Sequence, residues 1–144
     1  MWRWAPSQPA TEAVLPDEFR EKPGPVLPRS PDTLAPDRPL FDVTLLGIGE
    51  DGHTASLFPR QPALQETRRW AVAVIGANAE ARITLTYPVL DSSREVAFLV
   101  TGKEKRGVVA RAQAGDRTLP AAMVHPVGLL HWFTDHAATP AGAD

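Results

Sequence analysis

The sequence predicts an α/β fold in which short strands alternate with helices around one sheet. Three observations carry the prediction. Val43, Leu45, Leu46 and Ile48 form a short apolar run that ends in glycines, as a buried parallel strand entering a tight turn does. Three later stretches, "WAVAVI" (70–75), "RITLTY" (82–87) and "EVAFLVTG" (95–102), are rich in β-branched and aromatic residues and bounded by turn formers. Directly after the last of them, "KEKRGVVARAQA" (103–114) has helical composition.

Taken in chain order, the first segment contrasts with everything after it. Nine of the fifteen prolines fall within residues 1–39, where they oppose long helices and inner strands. Residues 1–38 are therefore expected to be a poorly ordered, Pro-rich lead-in with few large apolar residues, in which Trp2 and Trp4 are candidates to dock on a neighbour. Residues 39–144 form the folded part. The run from Phe41 is its first strand, and Pro59 limits any helix beginning near Thr54 to a brief one. The strands at 70–75, 82–87 and 95–102 follow, then the helix at 103–114. "GLLHWFTDHAA" (128–138) reads as a last strand with a short helical end. No internal repeat is evident.

Composition narrows the partners. A chain of 144 residues is the size of one domain with its own core. A formal net charge of -2 gives no basic field for nucleic acid or for an anionic membrane. No cysteine is present, so disulfides, thiolate nucleophiles and Cys-ligated zinc are excluded. No signal-peptide core or membrane-length apolar run occurs, and a cytoplasmic, soluble protein is expected.

The stretch "FDVTLLGIGEDGHTASLFP" (41–59) places Gly47, Gly49 and Gly52 at G-x-G-x-x-G spacing. A dinucleotide turn also needs a long following helix and a second strand ending in an acid about 20 residues on. Pro59 forbids the first, and "VIGANAEA" does not supply the second, so a nicotinamide or flavin cofactor is not expected. The turn instead carries Glu50, Asp51 and His53 beside glycines that let backbone approach a ligand. A neutral imidazole, titrating near ~6.5, can take a proton from water at neutral pH, which makes His53 the candidate general base. Asp51 is the candidate group that orients it. Gly47, Gly49 and Gly52 are expected to turn backbone amides towards a developing negative charge. Glu50 reads as exposed, and His125, His131 and His136 as surface or packing residues. H-E-x-x-H and equivalent ligand pairs are absent, so no metal site is expected.

These residues also carry a family resemblance. "LLGIGEDGHTASLFP", "ARITLTYPVL", "VAFLVTGKEKRGVV" and "HPVGLLHWFTDHAA" follow one another as in the 6-phosphogluconolactonases, which share a superfamily with the glucosamine-6-phosphate deaminases. The resemblance covers about 100 residues, from Pro39 to Ala138, and the string after D-G-H favours the lactonase branch. It implies a Rossmann-like open, mostly parallel sheet with flanking helices. It implies hydrolysis of 6-phosphogluconolactone to 6-phosphogluconate, in the pentose phosphate pathway, by His-activated water and without a cofactor. It further implies Arg82 and Lys105 as partners of the substrate phosphate, against the plainer readings of an Arg82–Glu80 ion pair and of a solvated face shared by Lys103, Lys105 and Arg106.

The resemblance also carries a departure. Family members begin with a glycine-rich phosphate loop and an S-N segment that have no counterpart here, so a fold truncated at its N-terminus is expected. Such a sheet has an unpaired edge that invites self-association. The alternative to a lactonase is a catalytically weak or silent domain that binds a sugar phosphate or another protein.

Overall fold

The protein is described as a computed structural model over residues 38–75 and 81–142. Five strands and two helices appear in chain order: β1 (Phe41–Leu46), β2 (Ala71–Val74), β3 (Arg82–Leu85), α1 (Tyr87–Asp91), β4 (Ser93–Val100), α2 (Arg106–Gln113) and β5 (Leu129–Thr134). Short 3-10 turns cover Pro62–Gln65, Lys103–Lys105 and Pro120–Met123. The proposed Pro-rich lead-in lies outside the described residues, apart from its last residue, Arg38.

β1, β4 and β5 form a parallel sheet in the order β1-β4-β5. β2 and β3 pair separately as an antiparallel hairpin. The mostly parallel architecture thus follows the expectation, and the β4–α2–β5 segment is a strand–helix–strand crossover between neighbouring parallel strands. α1 occupies a stretch in which the sequence suggested only the end of a strand. Pro88 stands in its first turn, where a missing N–H costs nothing. Its N-cap, Thr86, donates its hydroxyl to the Arg69 carbonyl (2.7 Å) and so ties the end of β3 to the start of β2. Near Thr54, where the sequence left room for a brief helix at most, the chain makes a turn in which the Leu57 N–H donates to the Thr54 carbonyl (2.8 Å). The short helical end after β5 is a single turn, with the Thr139 N–H donating to the Asp135 carbonyl (3.0 Å).

The core sits on one face of the parallel sheet. Val96 and Phe98 of β4 are fully buried, Val100 and Leu46 nearly so, and the Phe98 and Trp132 rings stack at 4.2 Å and 8°. Val108, Val109 and Ala112 of α2 join the same cluster, together with Leu57, Leu90, Leu119 and Val124. Burial of a side chain such as Phe98 stabilises the fold by about 1.5–3 kcal/mol.

The opposite face is open among the described residues. Val43 is 56% exposed, Leu45 63%, Leu99 52%, Leu129 60% and Phe133 59%. β1 is parallel, as its apolar run predicts, but it is buried only where it alternates onto the core face, at Leu46. Glu95 and His131 interrupt the open face, with Oε2 and Nε2 3.4 Å apart.

Candidate functional site

The site grows out of the turn that ends β1. The Gly52 N–H donates to the Gly49 carbonyl (2.9 Å), and the Gly49 N–H donates to the His53 carbonyl (2.9 Å), so the chain folds back on itself within five residues. Gly52 sits at φ +83, a region glycine reaches without strain, and the Leu119 side chain fills the space a Cβ would need. At Gly49 a Cβ would collide with the His53 ring and the Asp51 carboxylate. These two glycines therefore shape the turn. The expectation that their amides face a ligand is corrected, because both N–H groups are already engaged inside the turn. Gly47 has open space where its Cβ would be, and its carbonyl accepts the hydroxyl of fully buried Thr54 (2.9 Å).

Asp51 and His53 meet as the sequence predicts. Asp51 Oδ1 lies 2.6 Å from His53 Nδ1 and also accepts the His53 backbone N–H at 3.1 Å. A carboxylate only accepts, so Nδ1 carries the proton and Nε2 is left as the basic nitrogen. Partial burial pushes the Asp51 carboxyl upward. The hydrogen bonds from the His53 backbone and ring, with the charge of the imidazolium, more than offset this and hold it below its ordinary value. The imidazole is about one-third exposed and rests on the buried Phe58 ring, with centroids 4.4 Å apart.

One cavity of about 360 Å³ is lined by Gly47, Ile48, Gly49, His53, Ala55 and Lys105. His53, the glycine turn and Lys105, candidates from stretches more than fifty residues apart, thus share one space. Lys105 reaches it from the 3-10 turn between β4 and α2, where its N–H donates to the Gly102 carbonyl (3.0 Å). Its neighbours do other work. Lys103 is exposed, and the Arg106 guanidinium donates to the Ala137 and His136 carbonyls at 3.0 and 3.3 Å. Arg82 does not line the cavity; its guanidinium carbon stands 5.8 Å from the centre of the Phe58 ring, whose neighbour is His53. Glu80, the other partner considered for Arg82, lies outside the described residues.

Glu50 is exposed, as expected, and His125 and His136 lie away from the cavity. Sequence reasoning missed Phe58, Ala55 and Thr84. Phe58 belongs to the same string as His53 but looks like ordinary core. Ala55 at φ 50 gives no signal in its residue type. Thr84 is buried on β3, where its hydroxyl accepts the Ser56 N–H (3.1 Å) and anchors the loop to the hairpin. No group of three or more metal-ligating side chains occurs among the described residues, and no helix there is long and apolar enough to cross a membrane.

Comparison with known proteins agrees with this geometry. The profile of the glucosamine-6-phosphate isomerases/6-phosphogluconolactonase family matches residues 10–132. The chain is 49% identical over 105 residues to a rat 6-phosphogluconolactonase, an alignment covering 69% of this chain and 40% of the relative. It is 47% identical over 106 residues to the human 6-phosphogluconolactonase, covering 69% and 41%. The crystal structure of 6-phosphogluconolactonase from Leishmania guyanensis superposes with a TM-score of 0.57 at 27% identity, covering 72% of this chain and 42% of that one. The chain thus spans about two fifths of the length of the relatives it matches. With the D-G-H turn, the parallel sheet and the profile match in agreement, the chain belongs to the glucosamine-6-phosphate isomerase/6-phosphogluconolactonase family.

Proposed function

We propose that this site hydrolyses 6-phosphogluconolactone to 6-phosphogluconate. The observation that carries the reading is the 2.6 Å Asp51–His53 contact at the wall of a cavity that also holds Lys105. His53 Nε2 takes a proton from water as the water oxygen bonds to the lactone carbonyl carbon, giving a tetrahedral oxyanion. Asp51 steadies the imidazolium. When the oxyanion collapses, the ring C–O bond breaks, the ring oxygen takes the proton back from Nε2, and a carboxylic acid is released. Lys105 is the cation within reach of the substrate's negative charge; Arg82, the second partner that the family resemblance implies, stands over the Phe58 ring off the cavity wall, and its contact with the phosphate is part of this proposal. No cofactor enters this scheme.

The test is a stopped assay of purified chain with 6-phosphogluconolactone, taking His53→Ala as the blank because aldonolactones hydrolyse unaided. A rate equal to that of the blank overturns the reading. The same assay with unphosphorylated gluconolactone checks the phosphate contacts; equal kcat/KM for the two substrates removes Lys105 and Arg82 from that role. We place the reaction in the cytoplasm, although relatives named as chloroplastic occur in rice.

A second reading rests on the open sheet face. Val43, Leu45, Leu99, Leu129 and Phe133 form an apolar surface next to strand edges, and a second copy of the chain is the occupant we propose for it. On this reading the chain is a catalytically weak or silent sugar-phosphate-binding or interaction domain. Sedimentation equilibrium of wild type and Leu45→Glu/Leu129→Glu decides: a monomeric wild type discards self-association.

A further inference from the structure

We propose that a second cavity, next to the Asp51–His53 pair, is an anion site for the phosphate monoester of a small metabolite. Asp51 takes part in both places. One of its oxygens holds His53, and the residue also lines a separate cavity of about 610 Å³, a volume typical of small-molecule sites. Arg60, Arg111, Arg117 and Thr118 surround that cavity, with Leu119 as part of an apolar wall.

The charge balance points to an anion. Three guanidinium groups meet two carboxylates, of which Asp116 is engaged through both oxygens and Asp51, itself on the cavity wall, through Oδ1, so positive charge is in excess. Asp51 is bonded to His53. Asp116 Oδ2 accepts both Nε (2.9 Å) and Nη2 (2.8 Å) of Arg111, and its other oxygen accepts the Thr118 hydroxyl at 2.7 Å and the Thr118 N–H at 3.0 Å. That network fixes Arg111 and Thr118 in place. Arg60 and Arg117 have no carboxylate partner among the described residues, although both line the same concave surface. Two planar forks around an apolar wall suit a phosphate group carried on a short carbon chain. Arg60 also stands at φ 63, where a residue with a side chain is strained; the turn thus holds a guanidinium at the cavity at a position that glycine would fill with less strain.

The cavity is distinct from the one that holds His53 and Lys105, so the two can be read separately by amide NMR of the 144-residue chain. Glycerol 3-phosphate is the probe and glycerol the control. The Thr118 and Leu119 amides are expected to shift saturably with glycerol 3-phosphate alone. The shifts persist in Lys105→Ala, weaken about tenfold in Arg117→Gln, and vanish in Arg60→Gly/Arg117→Gln. Glycine accepts the backbone of position 60, and Arg117 is exposed, so neither change removes packing. The proposal is overturned if these amides do not respond, respond equally to glycerol, lose their response in Lys105→Ala, or titrate in Arg117→Gln as in wild type. Because this readout is binding and not turnover, its failure leaves the lactonase reading intact.

Discussion

His53 Nδ1 lies 2.6 Å from Asp51 Oδ1, and that same oxygen accepts the His53 backbone N–H. One carboxylate oxygen thus fixes both the tautomer and the position of the ring. Asp51→Asn presents an amide that is able to donate to Nδ1 and so to favour the proton on Nε2, the wrong nitrogen for a base. In the proposed reaction kcat is expected to fall by about 10²–10⁴ with KM little changed. Full activity in Asp51→Asn would remove Asp51 from the mechanism.

Gly49→Ala is expected to disable the same pair from the other side. The added methyl collides with the His53 ring and the Asp51 carboxylate, which must move apart to accept it. Activity should drop by at least tenfold while Gly47→Ala, with open space at its Cβ, folds normally. A Gly49→Ala protein with wild-type kcat/KM contradicts the tight approach.

Asp116 gives a pH-dependent signature. Hydrogen bonds from the Thr118 hydroxyl and backbone, then from Arg111, lower its pKa from 3.8 to about 2. Because the folded value lies below the unfolded one, the stabilisation is present above pH 3.8 and is lost as pH falls towards about 2. Asp116→Asn should therefore lower Tm at neutral pH, with the difference from wild type closing across that window. A Tm difference unchanged at pH 2 contradicts it.

The Tyr87 hydroxyl donates to the Pro120 carbonyl at 2.9 Å and joins α1 to the Pro120–Met123 turn. Burial, with the Asp91 charge nearby, raises its pKa well above the ordinary tyrosine value, so the phenol stays protonated and donates at any working pH. Tyr87→Phe should destabilise the fold by about 0.5–1.5 kcal/mol in urea unfolding. A midpoint equal to wild type would show the bond to be energetically neutral.

The legible parts of this protein are those in which local sequence and fold make the same demand. The run through Leu46, Gly49 and Gly52 encodes a strand and a turn, and Asp51 and His53 are close enough in sequence for the turn alone to bring them together. The strands at 70–75, 82–87 and 95–102 announce themselves by β-branched residues, and residue type alone marks no difference between the antiparallel hairpin β2–β3 and the parallel strands. What was not legible depends on distant contacts. Arg82 was expected beside the substrate, but the placement of Phe58 sets it 5.8 Å from that ring and off the cavity wall. The amides of Gly49 and Gly52 were expected to face a ligand, but folding the turn consumes them. The His131–Glu95 approach joins β4 to β5 across 36 residues, and no spacing rule reports it.

That ionisable pair limits what can rest against the open side of the sheet. Glu95 and His131 sit among Val43, Leu99, Leu129 and Phe133, so a greasy lid of uniform character would strip water from the half-exposed Glu95 carboxylate without replacing it. Any surface that closes there must bring a donor or a positive charge opposite Glu95, and that single requirement fixes its lateral alignment. Sliding by one residue along the strands would leave the polar spot unanswered. The apolar residues supply the adhesion, and the charged spot between them selects one orientation out of many.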